Sequence, residues 1–147
     1  MLFDTLTEEE KDLITARGRT LKFAKGDAIL HEGDETTSLF FIQAGAVQVR
    51  KVLDKERYKQ LKDLMPGDFF GDMSFLTSAT RSADVLALQD SELFEITRAD
   101  FDDLVKDHPL VGLKVYRNIA VELATRLQRN NEELRRAIMW ALEQMIS

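Results

Sequence analysis

Pro66-Gly67-Asp68-Phe69-Phe70-Gly71-Asp72-Met73-Ser74-Phe75-Leu76-Thr77-Ser78-Ala79-Thr80-Arg81-Ser82-Ala83-Asp84 is the segment on which the reading of this chain turns. Two glycines open it, a helix-compatible run follows, and an arginine closes it before a strand-like stretch. Gly71 permits a tight turn or a close backbone approach. The amides of Asp72, Met73 and Ser74 then start a turn of helix, where unpaired N–H groups favour an anion. Arg81 supplies a planar, permanently charged fork for phosphate oxygens, and Ser82 a neighbouring hydroxyl. The residue types alone leave two readings open. One is a phosphate cradle; the other is a Gly-rich surface turn with its arginine in an ion pair.

On both sides of this segment the texture is that of short strands. Leu21-Lys22-Phe23, Ala28-Ile29-Leu30, Leu39-Phe40-Phe41-Ile42 and Val47-Gln48-Val49-Arg50 precede it, separated by turns at Gly26-Asp27, Gly33-Asp34 and Gly45. Asp54-Lys55-Glu56-Arg57 reads as a hairpin tip, and residues 58–64 lead into Pro66-Gly67-Asp68. Residues 84–88 and 92–96 follow. Seven or eight strands with turn signals every seven to twelve residues predict an antiparallel sandwich or jelly roll. No helix-length segment separates them, which argues against parallel α/β winding.

Helices flank this β region. Thr7-Glu8-Glu9-Glu10 fits a capping box, opening a short helix that Gly18 is expected to end. Thr97 reads as a second N-cap, with Phe101, Leu104 and Val105 on one face. Pro109 suits the first position of a third helix, after which there is no proline and one glycine, Gly112. Leu113, Tyr116, Ala120, Leu123, Leu127, Asn130, Leu134, Ala137 and Ala141 follow steps of three and four, a heptad seam. Ile119, Ile138, Leu142 and Met145 widen it. Part of the stripe is expected to cover the β body and the distal part to pair with a second copy, with Asn130 setting register. The alternative is a helix folded back on its own domain.

Composition narrows the function. The 147 residues are 44% hydrophobic and 31% charged, with no cysteine and a net charge of −6. Residues 109–147 hold six Lys/Arg against four Asp/Glu, so the first 108 hold fourteen against twenty-two. An acidic body is a poor nucleic-acid binder, though one small anion on one arginine is unaffected by that. No apolar run reaches bilayer length and no signal peptide is recognised, so a cytoplasmic protein away from membranes is expected. With only His31 and His108 and no cysteine, neither a metal site nor a catalytic constellation is expected, and the chain is not read as an enzyme. Glu8-Glu9-Glu10 and Asp102-Asp103 read as first-turn helix charges.

Taken in order, these features resemble a cyclic-nucleotide-binding domain, as found in catabolite-activator-type regulators, cyclic-nucleotide-dependent kinases and gated channels. The resemblance runs from Leu2-Phe3 through Lys25-Gly26-Asp27, Glu32-Gly33-Asp34, residues 66–71, Arg81-Ser82-Ala83 and Asp90-Ser91-Glu92-Leu93 to His108-Pro109. It implies a mainly β fold: an antiparallel jelly roll with a short N-terminal helix, a short phosphate-cassette helix and a long C-terminal dimerisation helix. Residues 1–108 would be the binding domain and 109–147 the dimerisation helix.

The same resemblance implies a cyclic nucleotide ligand, cAMP rather than cGMP, and no metal. Gly71, Met73, Ser74, Arg81, Ser82 and Ala83 would hold its phosphate. Asp72 stands where the family usually has Glu for the ribose 2′-hydroxyl. Asn130 and Asn131, after Arg126-Leu127-Gln128, stand near a Thr-Ser pair that contacts the purine. Asp72 is one methylene short, and Thr80 replaces a common proline, which loosens that turn. No helix-turn-helix follows in this sequence, so a stand-alone homodimeric sensor acting on a separate effector, without direct DNA contact, is expected. The competing expectation is a jelly roll that has lost its ligand and serves as an interaction module.

Overall fold

The structure, a computed structural model, describes residues 2–146. Met1 and Ser147, the outer bounds of the two expected segments, lie outside them. Helix α1 (Glu8–Thr15) is followed by strands β1 (Arg19–Phe23), β2 (Ala28–Leu30), β3 (Leu39–Ala44), β4 (Val47–Val52), β5 (Tyr58–Leu64) and β6 (Phe69–Phe70). Helix α2 (Asp72–Thr77), strands β7 (Asp84–Ala87) and β8 (Ser91–Ile96), and helices α3 (Arg98–Asp107) and α4 (Pro109–Ile146) complete the order. The strands form two antiparallel four-stranded sheets, β1-β8-β3-β6 and β2-β7-β4-β5. This is the jelly roll that the turn spacing predicts.

Period-2 alternation divides the core into two layers. Phe40, Ile42, Val47, Val85 and Leu93 point between the sheets, while Leu39, Phe94 and Ile96 point outward under the helices. There they meet Leu2, Ile14, Phe101, Leu104, Val111, Val115 and Ile119. Strand β8 is covered on both faces, with Leu93 toward the space between the sheets and Phe94 and Ile96 toward the helices. Its one buried acid, Glu95, pairs with Arg19 at 2.7 Å.

The local signals behave as read, with two shifts. Thr7 Oγ1 accepts from the Glu10 N–H at 3.2 Å and Glu10 Oε1 from the Thr7 N–H at 2.9 Å, completing the capping box. Helix α1 nevertheless stops at Thr15, short of Gly18. Gly18 is needed for space: a Cβ there would stand 2.2 Å from the Phe94 ring and 2.5 Å from Glu95 O. The second shift is at Phe69-Phe70, which continues the Pro66-Gly67-Asp68 turn into a two-residue strand paired with β3. At the 54–57 tip, the Asp54 carboxylate accepts the Glu56 and Arg57 N–H groups, each at 2.9 Å.

Helix α4 runs 38 residues, about 57 Å at 1.5 Å per residue. Val111, Val115 and Ile119 bury against the body, with Tyr116 and Leu123 packed beside them. The exposed face carries Leu110, Leu113, Arg117, Ala120, Ala124, Leu127, Asn131, Leu134, Ile138, Ala141 and Met145. These eleven positions keep the three-four step without a break. The seam read from sequence therefore joined two stripes. Tyr116 and Leu123 belong to the body-facing one, and Asn130 and Asn131 are both exposed, Asn131 on the three-four line that starts at Leu110.

Candidate functional site

Gly71 opens α2 with φ 84°, in the left-handed region that favours glycine. A Cβ there would stand 2.7 Å from Ser38 O and 2.8 Å from Arg81 Nη1. The first intrahelical bond runs from the Phe75 N–H to Gly71 O at 3.1 Å. Helix geometry leaves the amides of Asp72, Met73 and Ser74 ahead of it without intrahelical partners.

Arg81 is 3% exposed. Its Nε donates to Thr36 Oγ1 at 3.2 Å, Nη1 to Gly71 O at 3.1 Å and Nη2 to Ser38 O at 2.9 Å. A guanidinium has five N–H groups, so one remains on each Nη. Burial pushes the Arg81 pKa down, and the fields of Glu95, Asp34 and Asp72 oppose this. An arginine starts far enough above neutrality to stay charged. The turn that Thr80 was expected to loosen is pinned on both sides. The Arg81 N–H donates to Asp34 O and the Gly33 N–H to Arg81 O, both at 2.8 Å. Lys51, paired with Glu32, also donates to Ser82 O at 2.9 Å.

These groups line a cleft of about 780 Å³ between the β body and α4. Gly71, Asp72, Met73, Ser74, Arg81, Ser82, Ala83 and Asn130 all border it. Asn131 does not; the 100° turn from Asn130 carries it to the three-four line from Leu110. One contact across the cleft was missed from sequence. Arg126 Nη1 donates to the buried Asp72 Oδ2 at 3.0 Å, and its Nε to Glu122 at 3.3 Å. Asp72, assigned to a ribose by resemblance, is thus held by α4, with lone pairs to spare for a second donor. The signal was present: Arg126, Arg129, Asn130 and Glu133 step by three, one and three, one face of a helix. Val49, Leu61, Leu64 and Phe69 supply the apolar part of the lining.

A contact chain leads from this cleft into the helices. Phe75 of α2 meets Phe101 of α3 edge-on at 5.2 Å, and Phe101 meets Tyr116 of α4 at 5.2 Å and 90°. Arg98 of α3 donates to Phe75 O. Among the described residues, no helix is long and apolar enough to cross a membrane, and no group of three His, Cys, Asp or Glu could hold a metal ion.

A jelly roll that presents a glycine-opened helix and a buried arginine to a long C-terminal helix defines a class of ligand-binding domain. The chain belongs to the cyclic nucleotide-binding domain family, whose profile matches residues 20–108. It is 33% identical over 133 residues to the cyclic AMP receptor protein of Thermus thermophilus, covering 90% of this chain and 60% of that protein. Similarity to the Pycsar effector protein XpPycTIR of Xanthomonas perforans is 31% over 125 residues, or 84% of this chain and 38% of the relative. The crystal structure of the Thermus thermophilus catabolite activator protein matches with a TM-score of 0.80 at 32% identity, over 90% of this chain and 61% of that one. The chain spans only part of each of these proteins.

Proposed function

We propose that this chain is the sensing part of a regulator that binds a cyclic nucleoside monophosphate, and that it does no chemistry on it. The observation that carries the proposal is Arg81: a buried, backbone-anchored guanidinium with one N–H left on each Nη, bordering a cleft shared with α4. Around it, Gly71, Met73, Ser74, Ser82 and Ala83 complete the phosphate cradle. Asp72 meets the ribose while held by Arg126, and Asn130 reaches the base. The resemblance favours cAMP, but on family branch alone. No metal takes part.

We further propose that α4 pairs with its counterpart in a second copy, with residues 109–147 as the dimerisation segment and Asn131 in the seam. The ligand would then bridge body and helix, and so bias the helix position by its differential affinity for two arrangements. The Phe75–Phe101–Tyr116 contacts support such coupling.

A second reading, a ligand-free interaction module, draws on one observation: the distal half of α4 exposes Leu127, Leu134, Ile138, Trp140 and Leu142. Calorimetric titration with cAMP and cGMP separates the two. The sensing reading expects saturable binding that falls at least about tenfold in Arg81→Lys, which keeps the charge and loses the fork. Absence of binding at millimolar nucleotide, or unchanged affinity in Arg81→Lys, would leave the interaction module.

A further inference from the structure

Beyond the Asp72–Arg126 pair, the cleft continues between β5 and the next two turns of α4. Lys59 and Lys62 line it from the strand; Arg129, Asn130 and Glu133 line it from the helix. None of these five side chains has a hydrogen bond or ion pair to another described residue. Surface charges elsewhere in the chain commonly have partners, such as Arg17 with Asp107 at 2.8 Å and Lys51 with Glu32. A register shift in the β4–β5 pairing, where Val49 faces Lys62 and Arg50 faces Gln60, leaves Leu61 as the extra residue. Lys62 is half-buried despite its charge. Glu133 lies seven residues past Arg126, about 10 Å farther along the axis. On the reading proposed above, a nucleotide with its phosphate at Arg81 would extend its base toward this end.

The donor pattern there is not neutral between purines. Lysine and arginine only donate, and glutamate only accepts. Guanine presents O6 and N7 as adjacent acceptors, and N1–H with the N2 amino group as adjacent donors. Adenine places an amino donor where guanine has O6. A cation against O6/N7 and a carboxylate against N1–H/N2–H satisfy guanine on two edges. The same cation confronts the adenine amino group with a second donor. Asn130, able to donate and accept, suits either base.

Resting on the cyclic-nucleotide reading of this cleft, we infer that its far end selects guanine, with Lys62 and Arg129 addressing O6 and N7 and Glu133 addressing N1–H and the N2 amino group. This reverses the preference for cAMP that the resemblance carries.

The test is calorimetric titration of the full chain with cGMP, cIMP and cAMP. Inosine keeps O6, N7 and N1–H but lacks the N2 amino group, so the expected order is cGMP, then cIMP, then cAMP. The ends should differ about tenfold or more, the size of one good bidentate contact. Glu133→Gln should narrow the gap between cGMP and cIMP; Lys62→Ala should narrow the gap between both and cAMP. Since neither side chain has a partner in the fold, melting of both variants should match the parent. Binding of cAMP as tight as cGMP, or ratios unchanged in both variants, overturns the guanine inference and leaves the sensor standing. Binding of none of the three overturns both.

Discussion

The two halves of α4 are one continuous helix and two different objects. The proximal half, up to Arg126, buries Val111, Val115 and Ile119, pairs Lys114 with Glu10 at 2.7 Å, and caps Leu2 O through Asn118 at 2.7 Å. The distal half is exposed at every position from Leu127 to Met145, including Leu134, Ile138 and Trp140. In proteins most helical stability comes from packing an apolar face. The proximal half has that packing within its own chain; the distal half does not. The ligand cleft sits at the junction, where Arg126 closes on Asp72. A ligand acting there touches the last anchored turn and the first free ones.

This contrast can be broken by substitution. Ile119→Ala, in the proximal half, should cost about 2–5 kcal/mol in denaturant unfolding, the range for a large-to-small change in a packed core. Leu134→Ala should leave the unfolding of dilute protein nearly unchanged. It should instead reduce the concentration dependence of the melting temperature, the mark of association through the distal seam. If Leu134→Ala destabilises as much as Ile119→Ala at high dilution, the two halves are not distinct.

The junction comes next in size. Arg126→Ala leaves the Asp72 carboxylate buried without its partner, at a cost of roughly 2 kcal/mol, less than a fully buried pair because Arg126 is partly exposed. Arg126→Lys should recover part of this. A stability loss no larger than that of a surface substitution would mean that the pair does not hold α4 to the body.

Smaller effects sharpen the picture at its edges. Ser78 closes α2 at φ 61°, a left-handed position that suits glycine. Ser78→Gly should raise stability by about 0.5–1 kcal/mol, read from the denaturant midpoint. Lys114 and the Thr7 N–H hold the Glu10 carboxyl below its ordinary range. A depressed carboxyl adds stability above its unfolded pKa and loses it as the pH falls through the folded one. The α1–α4 attachment should therefore weaken below about pH 4.5. Glu10→Gln should flatten that part of the pH profile; an unchanged profile would remove Glu10 as a source.

Much of this was legible in the chain. The strands, the Thr7 and Thr97 caps, the Pro109 start and the glycine-opened cassette were read from local rules, because turn chemistry and period-2 alternation act over a few residues. Eight of the nine expected site residues border one cleft, since resemblance carried their order along the chain. The places of Asn131, off the cleft, and of Arg126, on it, were not legible for one reason. On a helix facing two environments, steps of three and four recur on every face, and the sequence does not say which face meets the body. Gly18 was read as a helix stop because its nearest neighbour in space, Phe94, lies 76 residues away.

By itself, then, the sequence determined the jelly roll, its caps and turns, and a glycine-opened helical turn at residue 71, all set by short-range backbone physics. Only the tertiary structure decided that Arg81 is buried with two N–H groups left, and that Arg126 takes Asp72. It also decided that Lys62, Arg129 and Glu133 share the far end of the cleft. The first depends on the chain bringing Thr36, Ser38 and Gly71 around Arg81, and the other two on how far α4 rotates as it lands on the body. That rotation is a balance of packing among Val111, Val115, Ile119 and Tyr116 against distant strands and helices, which no local pattern encodes.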